Sequence, residues 1–255
     1  MRLDSVVAQR AGVTRSRARA LIMEGRVRVD GATAHKAGQT VRDAAIVEIA
    51  QAKRFVSRGG EKLEAALRAF SLDVRDEEAL DIGASTGGFT DCLLAHGAAH
   101  VTAIDVGYGQ IDWTIRNDAR VTVIERTNFR HLADDAFPAG FDVIAADTSF
   151  ISLRTILARA IAYLRKDGTI VALVKPQFEV GRERIGRGGV VRDRGDHRRV
   201  LERVLTAAGA LGLVAVGLME SPLRGPAGNR EFLVALRRNG TPIGAERIGE
   251  VVGEG

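Results

Sequence analysis

The sequence predicts an α/β protein: a parallel sheet of the nucleotide-binding type, preceded by a small, basic α+β module. Three observations carry this reading. From about residue 60 onward, apolar β-type runs alternate with helical stretches. One run, Ala79-Leu80-Asp81-Ile82, opens into a glycine-rich turn and then an apolar helix from Phe89 to His96. Positive charge gathers at the N-terminal end. Residues 1–28 hold seven arginines against Asp4 and Glu24, a surplus equal to the +5 of the whole chain.

The first module, residues 1–50, reads as helix, helix and hairpin. Leu3, Val6, Val7 and Ala11 make a helical stripe that stops at Gly12. Thr14 is placed to cap a second helix, with Ala18, Leu21 and Ile22 inward and Gly25 ending it. Val27 and Val29 alternate with arginines, Asp30-Gly31 is a tight-turn signal, and Val41 to Ile49 reads as a strand. Arg15, Arg17 and Arg19 fall largely outside the apolar face. With Arg2 and Lys36 they suit a phosphate backbone. Arg2-Leu-Asp, Ser16-Arg-x-x-Ala, Ile22-x-x-Gly-x-Val-x-Val-Asp-Gly and Lys36 together resemble the S4 RNA-binding domain.

Residues 51–56 read as a short basic linker, either plain or one in which Phe55 packs while Arg54 touches RNA, with Arg54 and Phe55 both carried as candidates for RNA contact. The second domain, residues 57–255, opens on Ser57-Arg-Gly-Gly-Glu-Lys62. The apolar stripe Leu63, Ala66, Leu67 and Phe70 puts Lys62 in the first turn of a helix. A lysine is unfavourable there beside the helix dipole, which hints at a use.

In the glycine turn, Gly83 and Gly87 let a ligand approach the backbone, and the following helix N-terminus favours a polar group. The dinucleotide fingerprint is not met, because Ser85 stands at its second glycine. Asp81-x-Gly-x-Ser-Thr-Gly-Gly resembles instead the first motif of S-adenosylmethionine (SAM) methyltransferases. That resemblance implies SAM as cofactor and a Rossmann-like sheet. Asp81, Gly83, Ser85, Gly87, Gly88, Phe89 and Thr90 are the expected cofactor contacts in this segment.

The strands that follow are Val101–Asp105, Val121–Ile124, Phe141–Ala146, Thr169–Val174, Leu213–Met219 and Phe232–Leu236. Asp105, about 20 residues past the glycine loop, is suited to ribose hydroxyls. Asn128 lies in a polar loop at the same edge. Asp147 and Lys175 close the next two strands, and Glu231 starts the last. Polar residues at successive strand ends mark a ligand-binding edge. Gly181 to Gly189 reads as a flexible basic loop, His197 as a surface residue, and the tail from Asn239 as frayed.

Ser57-Arg-Gly-Gly-x-Lys62, Asp81-x-Gly-x-Ser-Thr-Gly-Gly-Phe-Thr, Asp147-x-Ser-Phe, Val174-Lys-Pro-Gln-Phe-Glu179 and Gly225-Pro-Ala-Gly-Asn-Arg-Glu231 resemble the TlyA family. The match spans essentially the full chain. It implies an S4-bearing, FtsJ-like 2′-O-ribose methyltransferase of bacterial ribosomal RNA, historically labelled a haemolysin. The family's catalytic Lys-Asp-Lys-Glu set falls on Lys62, Asp147, Lys175 and Glu231, with Asp147 also beside the cofactor. The family linker often has Trp or Tyr where Phe55 stands.

The chemistry suits those residues. A ribose 2′-hydroxyl must lose its proton as it attacks the methyl, and the sulfonium already activates that methyl, so no metal is expected. Lys175 is assigned as the base. A free lysine has a pKa of about 10.4, and the charge of Lys62 with partial desolvation is expected to lower it. Asp147 and Glu231 would orient the two amines.

Other classes fare worse. A non-catalytic RNA-binding protein is disfavoured by the intact set of four. A membrane-lytic haemolysin is disfavoured because the longest apolar run, Leu211 to Met219, is too short to span a bilayer. Nothing resembles the catalytic Cys or Asn-Pro-Pro-Tyr motif of nucleobase methyltransferases. The only cysteine, Cys92, excludes an intrachain disulfide and points to the reducing cytoplasm. The expected partners are ribosomal RNA or ribosomal subunits, with no membrane, and the expected state is a monomer.

Overall fold

The computed structural model describes residues 1–50 and 54–253. The chain divides into two compact units, residues 1–53 and 54–255.

In the first unit, α1 (Leu3–Ala11) ends where Gly12 turns left-handed, at φ 65°. Thr14 caps α2 (Arg15–Met23) by accepting from the Arg17 amide. β1 (Val27–Val29) pairs antiparallel with β2 (Ala32–Thr33) and with β3 (Val47–Ile49). The Asp30-Gly31 turn has both residues at positive φ, the geometry whose twist matches a two-residue hairpin. Leu3, Val7, Ala18, Ile22 and Val27 are fully buried between these elements.

The strand expected over Val41 to Ile49 is shorter than its apolar pattern suggests. Ala45 donates back to Arg42 in a turn, so pairing begins only at Val47. The carboxylate of Asp30 accepts from the Ile46 amide and fixes that entry point.

The second unit begins with α3 (Arg58–Ala69) and β4 (Glu78–Ile82), followed by α4 (Gly88–Ala95) and β5 (His100–Ile104). Next come the short α5 (Trp113–Arg116), β6 (Val121–Ile124), β7 (Phe141–Ala146), α6 (Leu153–Ala160) and β8 (Leu164–Val174). α7 (Arg194–Ala210), β9 (Val214–Glu220), β10 (Phe232–Arg237) and α8 (Arg247–Val252) complete it. The sheet order is β6-β5-β4-β7-β8-β10-β9. The first five strands are parallel, and β10 runs antiparallel between β8 and β9.

Neighbouring residues of the parallel strands serve opposite faces of the sheet. Leu80, Ile82 and Ile144 pack with α6 and α7, while Ala79, Val143 and Ala145 pack with α3 and α4. The sequence order reverses between β4 and β7. That reversal opens a crevice beyond their carboxyl ends, where ligands of such sheets sit.

Three expectations need correction. Residues 54–56 are not a free linker but part of the second unit, and residues 51–53 lie outside the described residues. Phe55 is only 3% exposed, which favours the packing alternative among the readings left open for the linker. Its ring lies against Gly60, where any Cβ would collide with it, and the next amide, of Val56, donates to Asp91 at 2.7 Å.

His197 is 1% exposed, on the same helix face as Val200, Leu201, Val204 and Ala208. It packs edge-on to Phe232 at 5.5 Å. The tail is not frayed through residue 253, because α8 buries Val252 and Arg230 holds the carbonyls of Val251 and Val252 at 3.0 Å.

Candidate active site

The glycine loop is fastened from below. Asp81 is fully buried and its Oδ2 accepts from the amide and the hydroxyl of Thr90, at 2.9 and 2.7 Å. This ties the first turn of α4 to the end of β4. The other oxygen, Oδ1, has no hydrogen-bond partner among the described residues. Burial pushes the Asp81 carboxyl up to about 7, with the nearby charge of Asp147 adding to the rise against the Thr90 donors. Asp81 and Thr90 therefore shape the loop from within the core and line neither cavity described below.

Gly83 has φ 83°, and a Cβ there would stand 2.8 Å from the carbonyl oxygen of Asp147. The loop after β4 and the end of β7 are thus in direct backbone contact. Gly87, left-handed at φ 89°, is turned towards Ile115. Three non-glycine residues at this edge also have positive φ: Ser85, Arg126 and Phe150. Left-handed backbone at non-glycine residues is strained and gathers at functional sites.

Two cavities meet there. The first, about 480 Å³, is walled by Ile104, Val106, Phe129 and Ile156, with Asp105, Asn128 and Gln110 as polar groups. Asp105 accepts from the amides of Ser85 at 2.8 Å and Gly107 at 2.6 Å, which closes the loops around the end of β5. Asn128 uses its Oδ1 to cap a short turn at Arg130. The second cavity, about 610 Å³, is bounded by Gly83, Ser85, Gly88 and Phe89 on one side. Lys62, Asp147, Lys175 and Glu231 bound it on the other. Gly83, Ser85, Asp147, Ser149 and Phe150 line both.

All four expected catalytic residues thus face one cavity, as two ion pairs. Lys62 donates to Glu231 Oε2 at 2.5 Å, and both side chains are buried. Lys175 Nζ lies 2.6 Å from Asp147 Oδ1 and donates to Ser149 at 2.8 Å. Sheet register makes the second lysine a neighbour of Glu231. Val174 pairs with Phe232, so Lys175 leaves β8 beside the residue that enters β10. Gly225 abuts Glu231 so closely that any Cβ would overlap its Oε1. Lys62 lies a full turn inside α3, and its charge is matched by Glu231 rather than left open towards Lys175.

Some contributors were not singled out from the sequence. Ser149 is the hydroxyl partner of Lys175. Asn229, 1% exposed, accepts from the Val191 amide and donates to the Gly189 carbonyl, both at 2.9 Å. It joins the 186–191 loop to the turn that carries Glu231. Glu179 caps α6 by accepting from Ser152 at 2.8 Å and from the Leu153 amide at 2.6 Å. The Asp147-x-Ser-Phe, Lys-Pro-Gln-Phe-Glu and Gly-Asn-Arg-Glu strings carried these residues, but nothing local revealed the task of each.

In the first unit, Arg2, Arg15 and Arg19 converge on the buried Asp4 at 2.9, 3.2 and 3.2 Å. Foremost the hydrogen bond from Arg2, and then those from Arg19 and Arg15, hold that carboxyl well below the usual carboxylate range against its burial. The three guanidiniums remain half-exposed around one shared carboxylate. Arg17 points elsewhere, to Glu24 at 3.3 Å, because two residues along a helix is more than half a turn. Lys36 is exposed. In the second unit, Arg54 is held by Glu64 at 2.5 Å.

Known proteins resemble the chain along nearly its whole length. The FtsJ-like methyltransferase profile matches residues 55–238 and the S4 domain profile residues 1–47. The chain is 48% identical to the 16S/23S rRNA (cytidine-2′-O)-methyltransferase TlyA of Mycobacterium tuberculosis, over 92% of this chain and 89% of that protein. It is 39% identical to hemolysin A of Brachyspira hyodysenteriae, over 91% of this chain and 98% of that one. A solved structure from Streptococcus thermophilus, also named as a hemolysin, superposes with a TM-score of 0.77. That pair shares 42% identity, covering 100% of this chain and 94% of the other. Among the described residues, no helix is long and apolar enough to cross a membrane.

Proposed function

The chain belongs to the TlyA family of S4-bearing, FtsJ-like methyltransferases, and from that premise we propose that it methylates ribose 2′-hydroxyls of ribosomal RNA, at cytidine, with SAM as donor. Two buried or half-buried lysine–carboxylate pairs facing one cavity beside the glycine loop carry this reading.

The residues present fit SAM. Apolar walls at Ile104, Val106 and Phe129 suit a purine, the Asp105 carboxylate suits a ribose diol, and the Gly83–Gly88 turn leads into the cavity of the four charged residues. When bound, SAM supplies a methyl group activated by its sulfonium.

Lys175 is the base. Its amine takes the 2′-hydroxyl proton as the oxygen forms its bond to the methyl carbon, and the Asp147 carboxylate and Ser149 hydroxyl aim that amine. Lys62, fixed by Glu231, holds a positive charge on the same cavity, where it steadies the developing alkoxide. Phe150, 91% exposed and 5.1 Å from Phe178, offers an aromatic rim on which a nucleobase can stack. The first unit, with its exposed arginines and Lys36, contributes affinity for phosphates rather than chemistry. We place the protein in the cytoplasm, acting as a monomer on ribosomal RNA or ribosomal subunits.

The test is transfer of labelled methyl from SAM to ribosomal subunits that lack the modification, with the modified nucleotides mapped by their resistance to alkaline cleavage. Methyl label found only on bases, or none on RNA, would refute the proposal.

A further inference from the structure

A third cavity, about 600 Å³, lies on the far side of the turn that carries Glu231. Ala227 belongs to the walls of both this cavity and the catalytic one. Four arginines line it, Arg192, Arg194, Arg224 and Arg230, against one carboxylate, Glu220.

Arg230 is already committed. It grips Glu220 at 2.8 and 2.7 Å and holds the end of α8. Arg192, Arg194 and Arg224 are exposed, and none has a carboxylate within ion-pair reach among the described residues. Arg194 donates to the Gly253 carbonyl and Arg224 to the Gly228 carbonyl, at 3.3 Å for the latter, so both are steered by backbone, and Arg224 adds to the positive field that lowers Glu220.

His197 supplies a second, independent feature. It lines the same cavity at 1% exposure. Its Nε2 lies 3.2 Å from the Val191 carbonyl, which assigns the proton to that nitrogen. Nδ1 is then a lone-pair acceptor, and it has no partner among the described residues. Burial first, and then the charge of Arg230, pushes His197 below its ordinary value, a shift in the direction of the neutral ring. A buried acceptor left unpaired is costly, and a ligand hydroxyl would satisfy it.

The geometry points to a sugar-phosphate site: the substrate RNA strand leaves the catalytic cavity over Ala227 and sets a neighbouring phosphodiester on Arg192, Arg194 and Arg224, with its ribose 2′-hydroxyl donating to His197 Nδ1. Guanidiniums recognise phosphate oxygens in paired geometry, and a neutral imidazole acceptor beside them selects ribose over deoxyribose. This rests on the RNA-methylating reading above and extends it to a second, non-reacting nucleotide of the same strand.

The test uses the full chain with oligocytidylate RNA and its deoxy counterpart as probes. In Arg192→Ala/Arg224→Ala, RNA binding should weaken by roughly tenfold or more at low salt. The slope of log affinity against log salt should fall by about 1 to 2, while SAM binding by calorimetry stays as in wild type. His197→Phe keeps a ring against Phe232 but has no acceptor, so the preference for the RNA probe over the DNA probe should shrink. Both exposed arginines can be changed without touching the core, so a folded variant is expected whatever His197→Phe does. Unchanged RNA affinity and salt slope in the arginine variant would overturn the site. If wild type binds the probes but methylates no RNA, the functional reading falls instead, and the probe comparison still decides the site.

Discussion

Lys62 Nζ and Glu231 Oε2 stand 2.5 Å apart, both buried, although 169 residues separate them in the chain. One comes from the first turns of α3 and the other from the entry to β10. Desolvating two charges costs more than most ion pairs return, so such a pair is weak evidence for stability and better evidence for a task. Its place on the wall of the cavity that holds Lys175 fits that view.

Removing one partner should therefore be worse than removing both. Lys62→Met or Glu231→Gln alone should cost about 3–5 kcal/mol, because a buried charge loses its partner. The double change Lys62→Met/Glu231→Met should recover much of that in denaturant melts, yet leave methyl transfer at the level of the single variants. If the double variant regains both stability and turnover, the pair is scaffolding only.

Lys175 is expected to behave as a base, not as a fixed charge. Lys175→Ala should abolish methyl transfer, a loss of at least about 10²–10⁴-fold, while SAM and RNA still bind. Lys175→Arg should fail equally, since a guanidinium does not release its proton. Asp147→Ala should reduce the rate as well, but its effect should not add to that of Lys175→Ala, because the two act as a unit. Near wild-type turnover in the arginine variant would send the search for the base elsewhere.

Asn229 ties two loops with two hydrogen bonds of 2.9 Å to backbone groups. Asn229→Ala leaves an amide and a carbonyl unpaired, at about 1–3 kcal/mol each. Limited proteolysis after Arg187 should accelerate, and KM for RNA should rise more than kcat falls. Unchanged cleavage of the 186–191 loop would show that the loop holds itself.

Asp81 should make stability depend on pH. Its folded carboxyl is raised to about 7, above the ordinary value near 3.8, so the native state holds a proton that the unfolded chain has lost. Its contribution is full below about pH 4 and is lost as pH climbs through about 7. Melting temperatures of wild type and Asp81→Asn should therefore diverge between about pH 4 and 7, with wild type falling relative to the variant. Parallel profiles across that range would mean that the buried carboxyl does not titrate there.

Three of the parallel strands were legible at their ends because an apolar run closes on a polar residue, Asp105, Asp147 or Lys175, whereas the first half of β8, Leu164 to Gly168, is too polar to read as strand. The hairpin at Asp30-Gly31 and the cap at Thr14 were legible for local reasons too, since turn and cap chemistry act within a few residues. What stayed hidden was long-range. The burial of Lys62 depends on a carboxylate that arrives with β10, and the burial of Phe55 depends on a glycine that admits its ring. His197 shares a helical stripe with Val200, Leu201 and Val204, so the periodicity held the answer and the polarity of the residue masked it. Val41 to Ile49 looked continuous because composition does not register the turn at Arg42 to Ala45.

The insertion of β10 between β8 and β9 has a consequence in time. Synthesis proceeds from the N-terminus, and units fold as they emerge. The small basic unit ends at residue 53, 178 residues before Glu231. β8 can pair with β7 early, but its other edge waits for β10, and Lys62 waits for its carboxylate. A nascent chain thus gains the means to hold RNA long before it can act on it. The catalytic face can be assembled only once β10 has been made and has brought Glu231 to Lys62.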